Sequence, residues 1–126
     1  MSTDASWLSL LSELTLGAGA GTIRAQVRAD DSPRRDPLRL VVQTYEARDR
    51  RPLGSVQRAV TPAELEHGVS VAVPHVAAYD EPRVIAWVER GAPDLEHDGL
   101  TARPRRGSLV GFGRGDDVRI RLSRRG

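Results

Sequence analysis

Apolar and polar residues alternate along much of this chain. In TIRAQVRAD, Ile23, Ala25, Val27 and Ala29 are separated by Arg24, Gln26 and Arg28, the two-residue period of a strand with one buried and one solvated face. The same period returns in Val69, Val71 and Val73, before Pro74, and in Val118, Ile120 and Leu122, with Arg119 and Arg121 between them. One run is apolar on both phases, VIAWV from Val84 to Val88, which predicts a strand covered on both faces, and LRLVVQTYEA from Leu38 to Ala47 reads as a further β-prone strand. Leu53 to Val60 and the segment SLVGFG predict two shorter strands.

The breaks between these runs are equally regular. DDSPRRDP, the charged stretch Arg48 to Pro52 and Gly113-Arg114-Gly115-Asp116 read as loops or turns, because proline and glycine interrupt ladders and polar residues tolerate solvent. Thr61-Pro62-Ala63-Glu64 has the order of a helix start, with a capping hydroxyl, a proline at the first helical position and an acid at the third, and Gly68 follows as a stop. Residues 7 to 16 fit either period: Trp7, Leu10, Leu11 and Leu14 make a helical stripe, while Leu8, Leu10, Leu14 and Leu16 suit a strand. About six to eight short strands with one brief helix near 61–67 predict an all-β fold, a single antiparallel β-sandwich of immunoglobulin-like or transthyretin-like type. One domain over residues 1–126 is expected, with 1–6 and 123–126 as loose termini.

Charge changes this picture little. Nineteen basic residues face seventeen acidic ones, for a net of +2, and the pI near 9.9 arises because every basic residue is Arg, which stays protonated to very high pH. Near-balance, with two Trp, two Tyr and one Phe, disfavours nucleic acid, since single-strand binders need rows of stacking residues. The absence of Cys excludes disulfides and thiolate chemistry. Asp4 stands where a secretory signal would be basic, and no run reaches the roughly 18 apolar residues of a membrane span. A cytoplasmic protein without a membrane span is the expectation.

Candidate chemistry is sparse. Asp94, Glu96 and Asp98 alternate before Gly99 like the first half of a calcium loop, but Arg105 occupies the twelfth position where a bidentate Glu belongs. A connector neutralised by Arg103, Arg105 and Arg106 competes with the metal reading. The glycines of GAGAGT lack nucleotide-loop spacing and precede a strand where a helix should begin. His67, His75 and His97 are widely spaced, and no G-x-S-x-G elbow is present. Arg114-Gly115-Asp116 matches an adhesion tripeptide, but reads more simply as a turn. No cofactor is therefore expected, and no catalytic residue is assigned. Arg48, Arg50, Arg51, Arg103, Arg105 and Arg106 remain as candidate partner-binding residues, because guanidinium groups suit acidic surfaces.

The segment LRLVVQTYEARD, the short helical insertion, the alternating VSVAVP and the strand RVIAWVERG together resemble small transthyretin-like, or prealbumin-like, bacterial β-sandwich modules. Among these they are similar to the outer-membrane lipoprotein of type VI secretion systems. The likeness covers Leu38 to Gly91, and this chain lacks the cysteine which that family lipidates. The resemblance implies a sandwich used for protein contact. The expected function is a non-catalytic binding or assembly module, a bacterial structural or accessory subunit that contacts a protein partner or another copy of itself. Two alternatives stay open: a Ca²⁺- or carbohydrate-binding sandwich using Asp94, Glu96 and Asp98 with Trp87 or Tyr79, and a small hydrolase using His75 or His97.

Overall fold

A computed structural model describes residues 20–30, 37–91, 103–104 and 108–124. In chain order these residues form β1 (Gly21–Ala29), β2 (Leu38–Tyr45), β3 (Pro52–Val60), α1 (Pro62–His67), β4 (Val69–His75), β5 (Arg83–Arg90), β6 (Leu109–Arg114) and β7 (Asp117–Arg124). The mostly β expectation holds, and α1 falls where the capping sequence placed it. Thr61 Oγ1 accepts from the Glu64 backbone N–H at 3.1 Å while Glu64 Oε1 accepts from that of Thr61 at 3.0 Å, so two otherwise orphan donors are satisfied reciprocally.

Of the expected sandwich, the all-β part is what the strands show. All seven strands belong to one sheet, in the order β3-β2-β5-β6-β7-β1-β4, curled until nearly closed into a barrel. β7 makes the difference, because it pairs on both sides. It runs parallel to β1 from Arg24–Asp117 to Ala29–Leu122, and antiparallel to β6 through Leu109–Arg124 and Val110–Ser123. Ser123 and Arg124, grouped above with a loose C-terminus, are thus ladder residues. The parallel pairing of β1 and β7 is possible because no tight turn joins these two strands. Gly111 lets β7 cross close over β6: a β-carbon there would lie 2.4 Å from Ile120 Cγ2 and 2.7 Å from the Arg121 carbonyl oxygen.

The seam between the end strands β3 and β4 is held by scattered contacts. The Val76 N–H donates to the Leu53 carbonyl at 3.1 Å, and the Arg58 guanidinium donates to the Ser70 carbonyl at 2.9 Å. Gly54 permits the approach, since a β-carbon there would lie 2.2 Å from the Pro74 carbonyl oxygen. Pro74 does not end β4 as its sequence suggests. The strand continues to His75, and an edge position is where a sheet accommodates proline.

Inside the barrel, the alternating residues of β1, β4 and β7 meet Leu38, Leu40 and Val42 of β2 and Val84, Ala86 and Val88 of β5. The strand registers give the barrel two distinct ends. At the loop end lie residue 20, the 46–51 turn, the 76–82 loop and the 115–116 turn; at the helix end lie α1 and the connections that leave β1 and β5. Wholly buried Leu65 of α1 joins the interior cluster from the helix end.

Candidate functional site

The loop end is organised by a carboxylate. Leu38, Leu40, Val42 and Thr44 face inward along β2, and Glu46 continues their two-residue phase just past the strand. Its residue exposure is 1%. A charge so placed must be paired, and three groups supply this. The Tyr79 backbone N–H donates to both carboxylate oxygens, at 3.1 and 3.2 Å, the Asp80 N–H donates to Oε1 at 2.9 Å, and Arg51 Nη2 lies 3.7 Å from Oε2. One side chain from the β2–β3 turn therefore grips the backbone of the β4–β5 loop.

The turn itself is tightly closed. The Glu46 N–H donates to the Arg51 carbonyl at 2.8 Å, the Arg50 N–H to the Glu46 carbonyl at 2.9 Å, and the Arg51 N–H to Asp49 Oδ1 at 3.0 Å. Arg50 adopts φ 59°, a left-handed conformation that is uncommon for a residue with a β-carbon. Arg48, Arg50 and Arg51 are all exposed.

What this holds outward is an aromatic ring. Buried Ala78 anchors the 76–82 loop from beneath, whereas Tyr79 is 69% exposed and Val76 57%. The Arg51 guanidinium carbon sits 5.2 Å from the Tyr79 ring centroid, within cation–π range. Arg48 approaches Asp80 at 3.7 Å with both side chains largely solvated, a pair of little energetic weight. Tyr79 and three arginines thus form one surface on a backbone fixed from within.

Beside it is a shallow depression of about 430 Å³, lined by Ala20, Gly21, Thr22, His75, Asp80, Glu81, Pro82 and Asp116. His75 Nδ1 lies 2.7 Å from the Val76 carbonyl oxygen; because a carbonyl can only accept, Nδ1 carries the proton. Among these lining residues Thr22 supplies the only hydroxyl, and no serine is present. Among the described residues, no group of three or more His, Asp or Glu is arranged to hold a metal ion.

Of the residues singled out by sequence, Arg48, Arg50 and Arg51 come together at the loop end. Arg103 is exposed within the connection between β5 and β6, whose ends lie at the helix end. Asp94, Glu96, Asp98, His97, Arg105 and Arg106 lie outside the described residues. Trp87 is wholly buried, which removes it as a stacking platform for sugars. It lies on the outward face of β5, and its indole N–H donates to Glu89 Oε1 at 3.1 Å while Arg39 donates to Glu89 Oε2. Sequence reasoning missed Glu46. The signal was present, because an acid on the inward phase of LRLVVQTYE is a buried charge in need of partners.

Among the described residues no helix is long and apolar enough to cross a membrane. Comparisons with protein-family models, with curated proteins and with solved structures found no match to this chain.

Proposed function

We propose that this chain is a non-catalytic protein-binding module whose contact surface is the loop end, with Tyr79 as its apolar anchor and Arg48, Arg50 and Arg51 as its charged rim. The observation that supports this most is the pairing of a largely exposed tyrosine with a wholly buried carboxylate that fixes its backbone. Aromatic and arginine side chains dominate binding hot spots, and a loop rigid before binding loses less entropy on association. The partner is a protein surface with acidic groups placed to meet guanidinium forks around an apolar recess for the phenol ring. A subunit of a larger bacterial assembly is the setting that the transthyretin-like resemblance implies.

Arg103, Arg105 and Arg106 offer a rival contact, and one mutant series separates the two. The partner that co-purifies with the tagged wild-type chain is identified by mass spectrometry, and its affinity is then measured by isothermal titration. Tyr79→Ala, and the triple reversal of Arg48, Arg50 and Arg51 to Glu, are each expected to weaken binding at least tenfold while leaving thermal melting nearly unchanged. Undiminished affinity in both, with loss when Arg103, Arg105 and Arg106 are reversed to Glu, would move the contact to the other connection.

A further inference from the structure

The segment from Tyr79 to Pro82 crosses from the β2–β3 turn, where Arg51 sits over the Tyr79 ring, to the β6–β7 turn, where the Gly115 N–H donates to the Pro82 carbonyl at 3.2 Å. It separates two patches of opposite charge. On one side stand exposed Arg48, Arg50 and Arg51, with Asp49, the exposed acid of that turn, accepting the Arg51 backbone N–H. On the other, exposed Asp80, Glu81 and Asp116 line the depression. Arg48 reaches Asp80 and Arg51 lies near Glu46, but among the described residues Arg50, Glu81 and Asp116 form no ion pair. The depression also holds an acceptor of another kind: with the proton of His75 on Nδ1, its Nε2 has a free lone pair, beside Gly21, where a β-carbon would lie 3.4 Å away. Ionised carboxylates likewise only accept. What complements this recess is a group with donors and positive charge, which describes Tyr79 and its neighbouring arginines.

We propose that the loop end docks on the loop end of a second copy of this chain about a two-fold axis, each Tyr79 and its arginines seated against the other copy's acidic depression. The pairing rests on the loop end being the contact surface and supplies its partner. A two-fold contact requires a patch that carries both halves of every interaction, because residue i meets j and j meets i. This end carries both. Tyr79 is next in sequence to Asp80, Glu81 and Pro82, which line the recess, so knob and recess lie side by side on one loop whose backbone Glu46 fixes. A depression of about 430 Å³ has the size of a small-molecule site and admits a phenol ring with a guanidinium beside it. An end of one charge sign would repel its copy, whereas here basic patch meets acidic patch twice in the two-fold orientation and like meets like in others. The contact is small. One end of a barrel this size falls at the low end of interface areas, so the dimer dissociates with a constant on the order of 10 µM or above and weakens as salt screens the exposed charges.

Sedimentation velocity on the full wild-type chain, from about 1 µM to about 1 mM, should show a monomer–dimer equilibrium that moves toward monomer at high salt. Tyr79→Ala should raise the dissociation constant about tenfold or more. Two charge reversals make the sharper comparison. Arg48→Glu with Arg50→Glu renders the end acidic throughout, and Glu81→Arg with Asp116→Arg renders it basic; all four side chains are exposed. Each variant should be monomeric alone, and an equimolar mixture should recover the dimer, because both contacts then again join opposite charges. A variant that failed to fold could not give that recovery, and in that event Tyr79→Ala decides alone, undiminished pairing overturning the proposal. A wild type that stays monomeric over the whole range overturns the pairing only, since loss of an unlike partner on Tyr79→Ala would still mark the loop end as the contact surface. Folded reversal variants that stay monomeric when mixed overturn the two-fold arrangement. A dimer that persists in Tyr79→Ala and in both reversals overturns it too, and places self-contact elsewhere on the barrel.

Discussion

The two ends of the barrel are closed by opposite kinds of chemistry. At the helix end a capped turn delivers Leu65, an apolar side chain that fills space and has no directional demand. At the loop end Glu46 enters from the inward phase of β2 and is satisfied by the backbone N–H groups of Tyr79 and Asp80. An apolar plug contributes to the stability of the whole barrel but leaves the loops around it free in detail. A buried carboxylate contributes less net stability, because desolvation offsets much of its attraction, and it specifies where particular peptide groups must sit. The difference suggests a division of labour in which one end secures the fold and the other positions a surface.

That comparison can be broken experimentally. The largest effect is expected at Leu65→Ala, where lost burial and a residual cavity should cost roughly 2–5 kcal/mol in urea unfolding; hydrogen exchange at Tyr79 and Asp80 should then accelerate only as far as global stability falls. Glu46→Gln should cost less, about 1–3 kcal/mol, since one amide cannot reproduce a carboxylate's set of charge-assisted acceptances. Its signature is local: the Tyr79 and Asp80 amides should exchange much faster while barrel amides change only with global stability. If the two variants produced the same exchange pattern, the contrast between the ends would be lost. Smallest is Thr61→Ala, which removes the cap of α1 and should cost about 1 kcal/mol, read as a lower urea midpoint with an unchanged slope.

Much of the secondary structure was legible in the residues themselves. The alternation in β1, β4 and β7 named the inward side chains correctly, and the double-phase apolar run at Val84 to Val88 announced a strand buried on both faces. Capping of α1 was readable because its partners are three residues apart. These are local relations, in which period and spacing translate directly into which side chains share a face.

Tertiary structure decided the rest. Period two says which residues face together but not which strand lies beside which, so the parallel β1–β7 pairing and the near-closure of a single sheet came from contacts between distant segments. Glu46 shows the same boundary at the level of one residue. Its two-residue phase with Leu38, Leu40 and Val42 was present in the sequence but went unread, and its partners stand 33 and 34 residues away, brought close only when β2 and β5 pair and carry the loop between β4 and β5 over the barrel mouth. Trp87 belongs with it: the strand was evident from its apolar run, while its placement in an outward layer apart from the main core depended on the curl of the sheet, which gives β5 an inside and an outside.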